Sequence, residues 1–218
     1  MYKLPRISVK RGFTTIELLM SMLIMGILTS VVLADYPDSA TRINLANISH
    51  SLALSVREAQ VRGSAIDSAS STVGGYGVYF DTIEPTRFYL YGDLANGNVL
   101  NGIQLGNGLY DLTPFDETQS ITNLLKNFRI TKLCVGTGFP FASCNDVTEG
   151  AVPAIENITI SFIRPNPEPK IYINRETSTT YSAACVEIVS PRGGGSGHVR
   201  SVHMFASGRI TTSQVGCQ

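Results

Sequence analysis

One stretch of 22 residues, Phe13 to Ala34 (FTTIELLMSMLIMGILTSVVLA), carries a single charge, Glu17, and constrains everything that follows it. As an α-helix it would measure about 33 Å, enough for a hydrocarbon core of about 30 Å. The preceding MYKLPRISVKRG holds Lys3, Arg6, Lys10 and Arg11 and no acid. A basic flank stays in the cytoplasm, so residues beyond the run are expected outside it. Met20, Met22 and Met25 belong to the run and read as packing, not as ligands.

Three readings fit such a segment. A cleaved secretory signal would use Val32-Leu33-Ala34 as its small-residue site, but the run exceeds the roughly 7–15 residues of an h-region and has a carboxylate near its start. A plain single-span anchor explains the length and leaves Glu17 without a partner, although a charge at mid-membrane costs about 2.5–3.5 kcal/mol. The third uses every residue. Basic residues ending in Gly12, then Phe13, then a carboxylate at the fifth apolar position (RGFTTIE, Arg11 to Glu17) resemble the class III signal of type IV pilins and pseudopilins.

The resemblance implies that a prepilin peptidase cuts after Gly12 and N-methylates Phe13. Glu17 would then neutralise the terminal amine of a neighbouring subunit as helices bundle in a filament. A carboxylate in an apolar filament core needs a cation, and that α-amine supplies one. The implied partners are other pilin subunits, the peptidase, the assembly platform with its ATPase, and the cytoplasmic membrane before assembly. The precursor would sit in that membrane, and the filament would be a type IV pilus or a type II secretion pseudopilus.

Beyond the run, Pro37 lacks an N–H and is expected to kink or locally melt the helix; in pilins a proline here marks partial unwinding. Leu45, Ile48, Leu52 and Ala59, with Val56 adjoining, then recur at helical spacing, while Arg42, His50, Arg57, Glu58 and Arg62 lie mostly off that face. Gly63 can end the helix. From Val73 the pattern becomes alternation and turns. GVYF (Gly77 to Phe80) and RFYLY (Arg87 to Tyr91) read as a hairpin, with later strands over Asn127–Val135, Asn157–Ile163, Lys170–Asn174, Ala184–Val189, His198–Phe205 and Arg209–Ser213. Gly92 to Gln119, rich in Gly, Asn and Asp, reads as a long surface loop with one short strand. Pro165-Asn166-Pro167 and the Gly193–Gly197 stretch read as turns.

The expected class is α+β, a long N-terminal transmembrane or filament-core helix packed on an antiparallel β-sheet head. Its divisions are a leader over 1–12, a helix over 13–63 with 13–34 in the membrane or filament core, and a head over 64–218. REAQVRG (Arg57 to Gly63), the YGVYF strand and a terminal SGRI (Ser207 to Ile210) are similar to the FimT/GspH branch of minor pilins and pseudopilins. That likeness is high over 12–92, loose over 93–185 and moderate over the last thirty residues.

Cys134, Cys144, Cys185 and Cys217 all lie in the expected exported part. Four cysteines allow three pairings; Cys134–Cys144, closing a Gly/Pro-containing loop, and Cys185–Cys217, tying the tail to a core strand, are favoured. Spacings without CxxC or CxH argue for structural disulfides over a metal site. Asp93, Asn96 and Asn98, with Asp111, Asp116 and Glu117, form an oxygen-rich cluster, but Ala95 and Gly97 stand where a calcium loop needs oxygens. The Asn and Gly residues there read as turn formers. His50, His198 and His203 follow no GxSxG or HExxH spacing, so neither an enzyme nor a cofactor is expected.

Lys and Arg number 17, as do Asp and Glu, and charged residues are 16% of the chain, which excludes nucleic-acid binding by bulk basicity. Without the leader cations, 13 basic face 17 acidic residues, a net charge of −4. Arg200 and Arg209 follow the last acid, Glu187, and offer a local basic strand pair for phosphates. Some FimT-type pilins bind DNA through a GRxR-like motif; here Gly208-Arg209-Ile210-Thr211 lacks the second arginine. A ligand-binding tip pilin, with DNA as ligand, is the alternative function.

Overall fold

The computed structural model of the protein describes residues 12–65, 73–94, 99–100, 103–104, 106–111, 117–125, 127–138, 140–141, 143–145, 155–163, 168–193, 195 and 197–218. Residues 1–11 of the expected leader, Asn96 to Asn98, Asp116, Pro165 to Pro167, Gly194 and Ser196 lie outside the described residues. One helix, α1 (Thr15–Ser64), is followed by thirteen strands, so the class is α+β. The chain divides into two units, one ending at Ala40 and one beginning at Thr41, and α1 contributes to both.

In the first unit α1 is apolar and exposed on every side, from Ile16 through Leu33. It is long and apolar enough to cross a membrane. Three of its hydroxyls are satisfied locally: Ser21, Thr29 and Ser30 donate to the carbonyls of Leu18, Met25 and Ile27 at 2.6–2.9 Å. Such back-bonding lets a hydroxyl sit on an apolar helix without water. The helical assignment runs through Pro37 without a break, contrary to the melting expected there. Proline deletes one hydrogen bond of the ladder, and the turns on either side of it remain helical.

In the second unit the helix turns one face inward. Leu45, Leu52, Val56 and Ala59 are fully buried and Ile48 nearly so, as the 3.6-residue period predicts. Gly63 lies in the last turn of the helix, at a close approach to the sheet. A Cβ there would lie 2.6 Å from both the Cβ and the carbonyl oxygen of Phe162.

The strands are β1 (Val73–Asp81), β2 (Arg87–Leu94), β3 (Val99–Leu100), β4 (Ile103–Gln104), β5 (Thr118–Asn123), β6 (Arg129–Gly136) and β7 (Ser143–Cys144). They continue as β8 (Asn157–Ile163), β9 (Lys170–Ile173), β10 (Glu176–Tyr181), β11 (Ala183–Val189), β12 (Val199–Phe205) and β13 (Ile210–Ser213). Instead of a single sheet there are two main antiparallel ones, ordered β10-β9-β8-β1-β2-β5 and β13-β12-β11-β6-β7, with β3 and β4 as a small pair. Phe80, Phe88, Ile158, Ile160 and Phe162 of the first sheet meet Leu133, Val135, Val186, Ile188, Val202 and Met204 of the second. The α1 face joins them in one core.

Each sheet also has a second face with its own chemistry. On the first, Tyr79, Tyr89, Tyr91 and Tyr110 cluster, with Tyr89 and Tyr110 stacked at 5.3 Å. Tyr110 lies within Gly92 to Gln119, expected as a surface loop, yet among the described residues of that stretch Asp93, Leu109, Tyr110, Asp111 and Glu117 are buried. On the second sheet the corresponding face carries the cysteines.

Candidate functional site

Just ahead of α1, Phe13 is 79% exposed and Gly12 is exposed as well. The Thr14 hydroxyl accepts the Glu17 backbone N–H at 3.3 Å, making Thr14 the N-cap of α1 and Glu17 its N3 residue. Thr14-x-x-Glu17 is thus the sequence of a capping box, whose threonine half is present. The sequence reading missed this local role for Glu17, though the spacing was legible. An acid in the first turn also complements the helix dipole, worth about 0.3–1 kcal/mol at the surface. Neither role consumes the carboxylate, which stays exposed.

The sulfurs join Cys134 to Cys144 and Cys185 to Cys217, and no cysteine is free. The four positions converge because three sheet registers coincide: Cys144 opposes Cys134, Cys134 opposes Cys185, and Cys185 opposes His203. Cys134 and Cys185 are fully buried, Cys217 is 4% exposed, and Cys144 is half-buried. Around them the C-terminal tail is clamped. Glu187 Oε2 accepts the Cys217 N–H at 3.0 Å, the Ser201 hydroxyl donates to the Val215 carbonyl at 2.7 Å, and the Phe141 N–H donates to the Gln218 carbonyl at 3.3 Å. Gly216 fits there because a Cβ would meet Glu187 Oε2 at 2.2 Å.

Two Ser–His contacts occur, Ser190 Oγ with His198 Nδ1 at 3.0 Å and Ser201 Oγ with His203 Nε2 at 2.8 Å. Neither is arranged as nucleophile and base. All four residues are buried, Ser190 Oγ accepts the Arg192 N–H within the β11–β12 turn, and the Ser201 proton is committed to Val215. Burial holds the His203 imidazole below its ordinary pKa, helped by the Arg209 charge.

The described carboxylates of the oxygen-rich cluster accept from the protein itself, except at Asp93 Oδ1, which is buried without a hydrogen-bond partner. Asp93 Oδ2 accepts the Gly108 N–H at 2.9 Å, and Glu117 accepts the Leu94 and Asp111 N–H groups at 2.9 and 2.8 Å. Asp111 pairs with Arg175 and accepts from Asn107 Nδ2 at 2.6 Å. Loss of hydration pushes Asp93 up to about 6 and Glu117 up to about 7, against the pull of these N–H donors. Among the described residues no three His, Cys, Asp or Glu side chains are placed to hold a metal ion.

Arg200 and Arg209 are not brought together. Arg200 shares the β12 face of Val202 and Met204, which line the core, whereas Arg209 lies opposite Phe205 on the other face. The Arg209 guanidinium stacks 4.2 Å from the Phe205 ring centroid. Strand alternation separates what the linear sequence grouped, setting the two residues on different faces. No family model matches the chain, and no curated protein or solved structure matches it either.

Proposed function

We propose that the chain is a pilin-like structural subunit, processed by a prepilin peptidase and assembled into a type IV pilus or type II secretion pseudopilus. The observation that carries this is α1 itself. Its apolar first half is exposed throughout, while five residues of its second half are locked into the core of the β-rich unit. An element apolar on all sides needs either lipid or like helices around it. A membrane serves before assembly and the helices of other subunits serve after it.

Two further features support the reading. Glu17 remains exposed at the first turn beside Phe13, where the α-amine of a neighbour processed at Gly12 would come to lie. Ile43, Leu54 and Val61 are each at least 60% exposed. They stand 11 and 7 residues apart, about three and two helical turns, and so form one stripe facing away from the core. In a filament that stripe packs on adjacent subunits. The disulfides and the clamped tail harden a head that never returns to the cytosol. The tip-pilin alternative gains nothing from Arg200 and Arg209 on opposite faces.

The deciding experiment is the intact mass and N-terminal sequence of protein purified from cell envelopes. The proposal expects N-methylated Phe13 at the terminus. A chain starting at Asp35 overturns it in favour of ordinary secretion, and a chain retaining Met1 overturns it in favour of a plain membrane-anchored protein.

A further inference from the structure

The cysteines form more than two independent staples. Cys134 stands between Cys144 on β7 and Cys185 on β11, directly opposed to each in register. Its Cα lies 4.0 Å from that of Cys144, to which it is bonded. Directly opposed residues of antiparallel strands have Cα atoms about 4.5 or 5.5 Å apart, and disulfides span about 4.4–6.8 Å. Cys185 is therefore also within bonding reach of Cys134. The tail also approaches β7. The Phe141 N–H donates to the Gln218 carbonyl, which brings the tail beside the segment that carries Cys144. Cys134, Cys185 and Cys217 pack as one buried cluster, with Cys144 and Phe141 against it.

Access is unequal. Three of the four cysteines are buried, Cys217 as part of the clamped tail, and Cys144 is the half-buried one. An attacking thiolate must reach sulfur, so accessibility decides which disulfide atom is struck.

We propose that Cys144 is a thiol-exchange site, and that Cys134 relays the exchange to the second disulfide, moving the covalent anchor of the tail from β11 to β7. An external thiolate attacks Cys144 Sγ. The Cys134–Cys144 bond breaks, its electron pair leaves on Cys134 Sγ, and a mixed disulfide remains on Cys144. The Cys134 thiolate attacks Cys185 Sγ, forming Cys134–Cys185 and releasing the Cys217 thiolate. Cys217 then attacks the mixed disulfide at Cys144 Sγ, forming Cys144–Cys217 and returning the external thiolate. Two disulfides exist before and after, so no oxidant or reductant is consumed. In the exchanged form the Cys217 N–H leaves Glu187, and the tail is held at the sheet edge. The ligand class is a small or protein thiol of the exported compartment.

The test uses the full chain in detergent with reduced glutathione as the probe, at mildly alkaline pH. Samples are acid-quenched over time, alkylated and mapped by mass spectrometry. The expected result is a first glutathione adduct on Cys144, followed by peptides linked Cys134–Cys185 and Cys144–Cys217. First adducts on Cys185 or Cys217 overturn the assignment of the site. Alkylated Cys134 that accumulates without any Cys134–Cys185 peptide overturns the relay. Cys144→Ser gives an independent reading, because it supplies the Cys134 thiol without attack. A mixture of Cys134–Cys185 and Cys185–Cys217 supports the relay, whereas Cys185–Cys217 alone, with Cys134 free throughout, refutes it.

Discussion

Acidification from about pH 8 to about pH 5 is expected to stabilise the β-rich unit. Asp93 and Glu117 are 0% and 1% exposed, and burial raises them to about 6 and about 7 from 3.8 and 4.5. Groups raised on folding bind more protons in the folded state, so their contribution is fully present below the unfolded pKa and is lost as pH rises through the folded value. Treated separately, the two shifts give roughly 4 kcal/mol between those pH limits, at about 1.4 kcal/mol per unit. The Asp93 charge helps raise Glu117 and the Asp111 charge helps raise both, so the two titrations are coupled and the joint figure is taken as about 3 kcal/mol. His203 opposes the trend: its lowered pKa favours the folded state above about 6.5 and costs stability below it. The upper part of the range therefore reports the carboxyls alone. At about 2–4 °C per kcal/mol for a unit of this size, the full change is about 6–12 °C in Tm. Near-UV circular dichroism melts of the whole chain in non-ionic detergent measure it. Asp93→Asn, whose remaining carbonyl oxygen can still accept the Gly108 N–H, should flatten the profile. A Tm that is constant or falls between about pH 8 and about pH 6.5 would refute the argument, because it would mean that water reaches these carboxylates.

Gly63→Ala sets helix propensity against sterics. Alanine gains about 1 kcal/mol in a helix, but its Cβ meets Phe162 backbone and Cβ at 2.6 Å, an overlap costing about 1–3 kcal/mol; a net loss is expected, and a higher Tm would show that the helix end shifts freely. Glu17→Ala should leave the melting of the β-rich unit within about 0.5 kcal/mol while abolishing incorporation into sheared filaments. Normal incorporation would remove the assembly role. If DNA binds at all, Arg200→Ala and Arg209→Ala together should lower the salt slope by no more than about 0.9, one phosphate, since the two lie on opposite faces. A fall of twice that in fluorescence anisotropy titrations would place both on one duplex.

The sequence by itself determined every feature that repeats locally. The apolar run fixed the exposed half of α1, and the period of Leu45, Ile48, Leu52, Val56 and Ala59 fixed its buried face. Alternation located β8 at Asn157–Ile163 and most of β1, β2, β6, β9, β11, β12 and β13, because side-chain direction follows from neighbouring residues alone. The exposed β5 and β10 carry polar runs, TQSITN and ETSTTY, and were not legible because pairing with a neighbour, not their own pattern, makes them strands. Asp93, Asp111 and Glu117 read as part of a surface loop; their burial depends on backbone N–H groups at Leu94, Gly108 and Asp111 that only the folded chain presents. Spacings of 10 and 32 residues within the cysteine pairs gave no hint that Cys134 and Cys185 oppose each other. Sheet register is a relation between distant segments, and it alone brought the four sulfurs into one cluster and sent Arg200 and Arg209 to opposite sides.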